Sequence, residues 1–371
     1  MTLLRFGPFS VVILCVSGAL AASLPAQSVP PPATRLLTAP TLAVPGRVDS
    51  SVPMTWTRVD GELTLVAFAS WGGAPMRMAG PNLEGLQVTG DVVLTPHPGN
   101  GIWFESVIAN ETDTTWYAYY HDELPAYVCG RPDRSIPRIG AAVSTDRGVT
   151  WQNLGIILEA PPHSEVCSSS NRYVIGGVGD VSVMVDREWK DVYLYFSNYG
   201  RDPDAQGVLV ARFPWADRDA PRGRVTVWQD GVWLPPVVRP LTGINEVPIE
   251  WDYPAGTPIV RTTSPWHDGQ TAANAFWGPS LHWNTSLQRY VMLLNRTRDE
   301  SFTNEGIYIS FAPTLDDPHA WSTPKKILSG GGWYPQVAGL DPGSGTDSEM
   351  GRRGRFLVTG RSTRFIEFSG G

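Results

Sequence analysis

The dominant pattern along the chain is an alternation of apolar and polar positions with a period of two, which predicts β-strands. One stretch shows how the strands are joined. Two apolar segments, 178–185 and 192–197, flank a polar turn and together predict a β-hairpin. Glycines around Asp180 allow the backbone to approach another group closely. An acidic residue is therefore predicted at the start of a tightly packed strand.

The same hairpin outline recurs in units that begin near residues 54, 104, 180, 277 and 334. Each unit has segments for about four short antiparallel strands, and convincing helical periodicity is rare. Four-stranded units repeated radially are typical of a β-propeller. The pattern thus predicts an all-β protein with the fold of a five-bladed β-propeller, and a β-sandwich with long loops is the alternative.

Composition agrees with many short strands joined by turns, because the 371 residues include 38 Gly, 33 Pro and 15 Trp. The formal net charge of −7 argues against a nucleic-acid partner.

The N-terminal residues have the features of a secretory signal. Arg5 precedes an apolar run that ends in small residues, which predicts a signal peptide over 1–26. Residues 27–50 are rich in Pro and Ala and are predicted to be a linker, and residues 51–371 are predicted to form the propeller domain. We expect a secreted or periplasmic monomer that does not insert into a membrane after cleavage of the signal.

Three cysteines are present, and Cys15 lies within the predicted signal. Cys129 and Cys167 remain in the mature chain, and an even pair in an exported protein predicts a disulfide. Cys129 lies in a loop of the second unit and Cys167 lies in the connector to the third. The predicted topology brings both to one face of adjacent blades.

The segment Ser144–Trp151 has the pattern S-x-D-x-G-x-T-W. It resembles the Asp-box, a turn motif of sialidase-type and related propellers. Asp146 and Gly148 suit a turn, and Trp151 suits packing against the blade. We therefore predict a structural role for this motif.

Strand order predicts which residues share a face, because the start of a unit's first strand and the loop after its second strand lie together. Starts of first strands contribute Glu105, Asp180, Trp277, Trp333, Tyr334 and Gln336. Loops after second strands contribute His121, Glu123, Asn198 and Arg361.

Aromatic rings beside carboxylates and amides are typical of sugar binding, since rings stack on sugars while polar groups bind hydroxyls. The predicted substrate-binding residues are Trp277, Trp333, Tyr334, Gln336, Asn198 and Arg361. Glycosidic cleavage needs one protonated and one ionised carboxyl group. The predicted catalytic residues are Asp180 and Glu105 as a pair, Glu123 as a substitute for either, and His121.

The sequence has no metal-ligand spacing such as H-x-x-x-H. We therefore predict no metal and no cofactor, and leave open a Ca²⁺ ion at the propeller axis.

The arrangement resembles the five-bladed propellers of glycoside hydrolase family 43 and of families 32, 62 and 68. Segments such as Trp277–Ser280 also resemble a group of exported bacterial proteins. The family-43 resemblance implies a base Asp, a tuning Asp and an acid Glu in a Glu-Gly-Pro context. This chain has Trp277-Gly278-Pro279 in place of that Glu, and the first unit has no acid in its opening strand. Asp180 is the acid whose position matches.

These features predict a glycan-active protein, with glycoside hydrolysis as the leading hypothesis. A carbohydrate-binding propeller without catalysis is the first alternative, and the missing Glu-Gly-Pro favours it. A protein-interaction scaffold is the second alternative, which predicts a broad apolar patch and few converging acids.

Overall fold

The computed structural model describes residues 32–109, 114–239, 251–267 and 273–370. The predicted signal segment, 1–26, lies outside these residues. Within them, five sheets, built mainly from antiparallel strands, follow one another around an axis, which confirms the predicted five-bladed β-propeller. Helical structure in the described ranges is confined to short 3₁₀ turns at Tyr127–Cys129, Pro203–Ala205 and Trp215–Asp217. None of these helices is long and apolar enough to cross a membrane.

The strands follow the order of the blades with two exceptions. The first strand, β1 (Ala33–Ala43), belongs to the last blade, and the short strand Glu349–Met350 near the C-terminus pairs in parallel with the inner strand of blade four. Blade one consists of β2 (Met54–Val59), β3 (Glu62–Trp71), β4 (Ala74–Gly80) and β5 (Gln87–Asp91). Blade two consists of β6 (Val93–Thr95), β7 (Gly101–Ala109), β8 (Trp116–Ala126), β9 (Arg131–Ser144) and β10 (Thr150–Leu158).

Blade three consists of β11 (Val178–Val185), β12 (Asp191–Asn198), β13 (Gly207–Pro214), β14 (Thr226–Gln229) and β15 (Val232–Leu234). The connector to blade four contains β16 (Val237–Val238), β17 (Trp251–Asp252) and β18 (Val260–Arg261). Blade four consists of β19 (Ala275–Asn284), β20 (Arg289–Thr297), β21 (Asn304–Ala312) and β22 (Lys325–Ser329). The last segment contains β23 (Pro335–Gly339), β24 (Glu349–Met350), β25 (Arg353–Val358) and β26 (Arg361–Ser369).

Blade five is completed by the N-terminal strand, so the predicted linker is wrong for residues 33–43. β1 pairs antiparallel with β26 from Ala33 opposite Ser369 to Ala43 opposite Arg361. The pairing is irregular between Thr38 and Leu42, around Pro40. Proline is tolerated at an edge strand or bulge, which is why a Pro- and Ala-rich segment can form a strand here. The sequence of blade five lacks a fourth strand, and β1 supplies it.

The boundary between blades one and two lies earlier in the chain than the start of the second unit near residue 104 suggests. Val93 and Leu94 belong to β6, which pairs in parallel with β10 of blade two. The outer strand of blade one is β5 instead, and its residues are exposed. An exposed edge strand carries little apolar alternation, and so its sequence gives little signal.

Apolar side chains fill the spaces between adjacent blades, and five buried clusters correspond to the five interfaces. Each cluster can be identified by one member from each of its two blades: Phe68 and Phe104, Tyr119 and Val181, Tyr195 and Leu281, Leu293 and Val337, and Leu65 and Ala338. Burial of this apolar surface is the main stabilising contribution. Because every blade uses both faces, residues far apart in the chain are held in fixed positions near the axis.

Polar bonds between neighbouring blades add a second level of positioning. In each, a side chain of one blade binds the backbone of the next: Ser70 Oγ to Phe104 N (3.1 Å), Ser106 Oγ to Val183 N (2.9 Å), Ser182 Oγ to Leu281 N (3.0 Å) and Gln336 to both N and O of Val52 (2.6 and 2.9 Å). Such bonds satisfy buried backbone groups that bulged strands leave unpaired.

The Asp-box segment forms the turn between β9 and β10. Asp146 accepts hydrogen bonds from the backbone of Thr150 (2.9 Å) and Val149 (3.1 Å), and Ser144 Oγ lies 2.8 Å from its carboxylate. Trp151 is buried and packs edge-on against Phe104, with ring centroids 5.2 Å apart. These contacts account for the motif as a turn, as predicted.

Candidate active site

A cavity of about 210 Å³ lies at the axis where the inner strands begin. Its lining includes four carboxyl groups, one histidine and six aromatic rings. The residues are Asp49, Trp103, Glu105, His121, Glu123, Tyr173, Val174, Asp180, Trp277, Phe302, Trp333 and Tyr334. The face predicted from strand order is therefore the face on which this cavity opens.

Irregular backbone at the starts of the inner strands aims these side chains at the cavity. The pairing shifts register between Phe104 and Ser106, between Gly179 and Ser182, and between Trp277 and Ser280. A bulge re-aims a side chain that regular pleating would point into a neighbouring blade.

Two lining residues also have left-handed backbone: φ is 45° at Asp180 and 54° at Tyr334. For residues other than glycine this conformation costs about 1–3 kcal/mol, and it is concentrated at functional sites. The surrounding bonds hold it in place, because Asp180 N donates to His121 Nδ1 (2.9 Å) and Tyr334 N donates to Asn295 Oδ1 (3.0 Å).

Glu105 and Asp180 meet in the wall of the cavity. Glu105 is 4% exposed and Asp180 is 7% exposed. Ligand atoms of these two carboxyls and of the His121 ring all lie within 4.8 Å of one another. The predicted pair of acids is thus brought together by strands of neighbouring blades.

The environment of Glu105 favours its protonated form. Burial raises the pKa of Glu105 well above its ordinary value, and the nearby Asp180 carboxylate raises it further. His121 opposes the shift, but it does not outweigh the loss of hydration. A buried carboxyl that keeps its proton near neutral pH is suited to act as a general acid.

Asp180 is buried too, but it has better partners for its ionised form. Burial raises its pKa, while His121 and the hydroxyls of Tyr199 and Tyr334 counteract that rise. Tyr199 donates a hydrogen bond to Oδ2 of Asp180. The two carboxyls therefore differ in environment, which is what separates an acid from an ionised partner.

His121 connects Asp180 with Glu123. Because Nδ1 accepts the Asp180 N–H, the ring proton lies on Nε2, which is 3.6 Å from Glu123 Oε1. Burial lowers the pKa of His121, but Glu123, Asp180 and Glu105 together raise it to about 9. When the ring is neutral, the bond from Asp180 N–H to Nδ1 selects the Nε2–H tautomer. The three carboxyls favour the cation, and the same bond from Asp180 N–H opposes protonation of Nδ1.

Glu123 has the partners expected of an ionised carboxylate. Ser135 Oγ donates to Glu123 Oε2 at 2.9 Å. Burial alone would raise the pKa of Glu123, but His121 and Ser135 lower it below its ordinary value.

The donors of Glu105, His121 and Asp180 also form the one group among the described residues that could hold a metal ion. Two carboxylates and an imidazole suit a transition-metal ion better than Ca²⁺, which prefers a larger set of oxygen ligands. The sequence showed no metal-ligand spacing because these residues come from three separate strands.

Aromatic residues form most of the remaining wall. Trp277 is 1% exposed and packs against Phe302 with ring centroids 4.9 Å apart, so much of it belongs to the core. Trp333 donates from Nε1 to the carbonyl of Phe302 (2.8 Å). Tyr173 is 44% exposed and lies edge-on to Trp333, with ring centroids 5.7 Å apart. Tyr173 is thus the most accessible ring at the mouth of the cavity.

Three predicted substrate ligands do not line the cavity. Gln336 is buried with its amide bonded to the backbone of Val52, so it joins blades five and one. Asn198 bonds the backbone of Ala255 and Gly200. Arg361 is exposed at the start of β26. The rule of strand order placed them near the correct face, but it could not tell which side chains point inward.

Asp49 is the main residue that sequence reasoning missed. It lies just before β2, in the stretch predicted to be a linker, and it provides blade one with an acid. Its carboxylate accepts bonds from Trp103 Nε1 (2.8 Å) and Gly72 N (3.1 Å). Burial raises the pKa of Asp49, although the hydrogen bonds from these two donors lower it. Sequence reasoning also missed Trp103, Tyr173 and Phe302. For Trp103 a signal was available, because it is an aromatic residue two positions before Glu105, a predicted catalytic acid.

The disulfide Cys129–Cys167 is confirmed, with Cα atoms 5.1 Å apart. It fastens residues 165–175, which we call the wall segment, to the hairpin of β8 and β9. Arg131 and Arg134 of that hairpin bind the carbonyls of Ser169 (2.6 Å) and Asn171 (3.0 Å). The wall segment carries Tyr173 and Val174 to the cavity.

No protein-family profile matches the chain, and no curated protein matches its sequence. Solved structures similar to it include an endo-arabinase from Bacteroides thetaiotaomicron VPI-5482 (10% identity, 90% of this chain and 96% of that chain, TM-score 0.48). They also include the catalytic domain of a GH62 α-L-arabinofuranosidase from Coprinopsis cinerea (8% identity, 90% and 97%, TM-score 0.47). An arabinanase from Bacillus subtilis is a third (12% identity, 88% and 96%, TM-score 0.43). These similarities concern the fold alone.

Proposed function

We propose that the protein is a glycoside hydrolase in which Glu105 acts as the general acid and Asp180 as its ionised partner. The observation that carries the proposal is the convergence of these two buried carboxyls, in different environments, in the wall of an aromatic-lined cavity. Hydrolysis of a glycosidic bond requires a pair of this kind, one protonated and one ionised. The volume of the cavity, about 210 Å³, suits one terminal sugar residue.

The remaining groups have supporting roles in this proposal. Tyr199 and His121 orient the Asp180 carboxylate. Glu123 Oε1 lies 3.6 Å from His121 Nε2, within ion-pair distance but too far for a hydrogen bond, and Asp49 provides a further carboxylate beside Trp103. The aromatic rings contact the apolar face of the sugar and exclude water from the carboxyl pair.

A first test replaces each member of the pair with its amide. Glu105→Gln removes the acid, and Asp180→Asn removes the ionised partner while keeping a residue type that tolerates left-handed backbone. Each is expected to lower kcat/KM by about 10²–10⁴-fold on a glycan that the wild type cleaves. Release of reducing sugar from a panel of polysaccharides is the measurement.

Glu188→Gln is the matched control, because Glu188 is exposed in the turn between β11 and β12. It is expected to retain full activity. Wild-type rates in both Glu105→Gln and Asp180→Asn would rule out this pair as the catalytic acids.

A second prediction concerns stereochemistry. Retaining glycosidases place their carboxyls about 5–5.5 Å apart and inverting ones about 6.5–9.5 Å apart. Carboxyl oxygens of Glu105 and Asp180 lie within 4.8 Å, so this pair predicts retention of the anomeric configuration. Proton NMR of the first-formed anomer gives the answer. Inversion would show that a more distant carboxylate, such as Asp49 or Glu123, activates the water.

Non-catalytic sugar binding is the second candidate function. Trp277 occupies the place where the family-43 resemblance implies an acid, and this substitution favours the alternative. Non-catalytic binding predicts that glycans bind with no product formed, and that Glu105→Gln leaves the affinity for these glycans unchanged.

A further inference from the structure

The charges around the cavity are unbalanced. Asp49, Glu105, Glu123 and Asp180 all line it, and no Lys or Arg does within the described ranges. The arginines of the adjacent hairpin are engaged elsewhere, because Arg138 pairs with Asp122 at 2.5 Å and Arg134 pairs with Asp133 at 2.5 Å. Among the described residues, the ion pairs of these four carboxyls are those of His121 with Glu123 and Asp180.

This imbalance has a direct consequence for the ligand. Glu105 favours its protonated form, and among the described residues His121 is the one cationic partner for Asp49, Glu123 and Asp180. The remaining excess of negative charge favours an entering positive charge. An anionic sugar, such as a uronic acid, would add to the repulsion. A protonated amine would instead bring the missing counter-charge into a site of low dielectric constant, where ionic interactions are stronger than in water.

The aromatic wall favours the same kind of ligand. Trp103, Tyr173, Trp277, Trp333 and Tyr334 present ring faces or edges around the carboxyls. A cation within about 6 Å of a ring face is attracted by the negative face of that ring. Rings and carboxylates together are therefore suited to an ammonium group, whereas either feature alone would also suit a neutral sugar.

Two buried donors add an independent requirement. His121 and Trp277 line the cavity, and neither His121 Nε2 nor Trp277 Nε1 has a hydrogen-bond partner in the described part of the chain. Both nitrogen atoms are themselves buried from water. Each needs an acceptor oxygen, and a hydroxyl of a sugar supplies one when the side chain turns toward the cavity. A simple amine without oxygens offers no such acceptor.

We propose that the cavity binds a sugar residue with a free, protonated amine, so that the substrate is a glycan containing amino sugars that are not acetylated. The ammonium lies among the carboxylates and the rings, and the sugar ring packs against the aromatic wall. The cleavage of such a glycan rests on the proposed glycoside hydrolase function, whereas the binding preference does not.

Binding can be measured by calorimetry on the wild-type protein at pH 7. The probes are D-glucosamine and D-galactosamine, compared with D-glucose, D-galactose, N-acetyl-D-glucosamine and D-glucuronic acid. The amine sugars are expected to bind at least tenfold more tightly than the neutral sugars, and the uronic acid is expected not to bind. Equal or tighter binding of the neutral sugars, or binding of the uronic acid, would overturn the proposal.

A charge-removing variant gives a second measurement. Asp49→Asn keeps an acceptor oxygen for Trp103 and is expected to reduce the preference for amine over neutral sugar by about tenfold. Asp60→Asn is the matched control in the exposed turn between β2 and β3, and it is expected to leave the preference unchanged. An unchanged preference in Asp49→Asn would contradict a role for the carboxylate excess.

Product analysis separates this proposal from the hydrolase function. Binding of amine sugars with no cleavage of partly deacetylated chitin-type or galactosamine-containing oligosaccharides would support the binding preference and refute hydrolysis. Cleavage of neutral glycans by a protein that does not bind amine sugars would support hydrolysis and refute the preference.

Discussion

At the scale of single residues, Glu105 shows how burial creates chemistry. Its carboxyl is almost inaccessible and lies near a second acid, so the charged form is disfavoured. The same effect reduces stability. A protein that keeps such a group for function stores an unfavourable interaction at its site.

The pH dependence of stability follows from the direction of this shift. The raised pKa means that the folded state holds the Glu105 proton where the unfolded state, with a pKa of about 4.3, has lost it. The free energy of unfolding therefore falls as pH rises from about 4.3 to the raised pKa. Glu105→Gln removes this pH-dependent fall in the free energy of unfolding. The substitution is therefore expected to raise the melting temperature at pH 7 and to change the melting temperature little at pH 4.

The measurement is thermal unfolding at both pH values, with Glu188→Gln as the exposed control that shows no pH-dependent difference. An equal melting temperature for wild type and Glu105→Gln at pH 7 would show that Glu105 ionises without a penalty.

Asp347 gives a second residue-scale case, far from the cavity. It lies between β23 and β25 and accepts a bond from Met54 N (2.7 Å). Burial raises the pKa of Asp347 to about 7. The free energy of unfolding therefore falls as pH rises from about 4 to about 7, because the unfolded state loses the Asp347 proton before the folded state does. Asp347→Asn, which keeps the acceptor oxygen, is expected to raise the melting temperature at pH 8 and to leave it unchanged at pH 3.5. A loss of stability at pH 8 would show that the ionised carboxylate is needed there.

At the scale of elements, the wall segment is held from both sides of the cavity. The disulfide and two arginines fix it to blade two, while Ser169 lies 2.7 Å from His267 and Ser170 donates to Glu300 (2.9 Å). Ser135 N also donates to the carbonyl of Tyr173 (2.8 Å). These bonds position Tyr173 at the cavity mouth as a fixed wall.

Removal of the disulfide tests this role. The bridge closes a loop of 38 residues, and Cys129→Ser with Cys167→Ser is expected to lower the free energy of unfolding by about 3–4 kcal/mol. Because Tyr173 loses its fixed position, KM is expected to rise about threefold to tenfold, with a smaller change in kcat. Steady-state kinetics and thermal unfolding give the two quantities.

Tyr173→Ala with the bridge intact is the comparison. It is expected to raise KM similarly but to change stability little, since Tyr173 is 44% exposed. If the double cysteine variant lost stability and kept its KM, the disulfide would serve stability alone.

At the scale of the whole molecule, the first and last strands close the ring. β1 pairs with β26, and Arg355 of β25 donates to the carbonyl of Pro40 (2.7 Å). On the inner side, Gln336 binds Val52 and joins blade five to blade one. Closure matters for the site because Asp49 and Tyr334 come from the two blades that meet there.

Deletion of residues 1–43 is expected to lower the melting temperature by more than about 10 °C, since blade five then exposes an unpaired edge and loses the packing of Leu42. A chain beginning at Pro32, which keeps β1, is the matched control and is expected to unfold like the full chain. Identical melting of the two truncated chains would show that β1 contributes nothing to closure.

The sequence by itself determined the repeated hairpins, and with them the propeller, because alternation with a period of two is a local property of each strand. It also determined the turn at Asp146 and brought Glu105, Asp180, His121 and Glu123 to one face, because strand order fixes which ends lie together.

Only the tertiary structure decided which of those side chains enter the cavity. Bulges and left-handed backbone aim Asp180 and Tyr334 inward, whereas Gln336 turns to Val52, and no local pattern encodes that choice. Asp49 was hidden in a segment with the composition of a linker, because the pairing that makes β1 a strand comes from residues about 320 positions away. Long-range contacts between blades, which alternation does not report, therefore completed both the ring and the site.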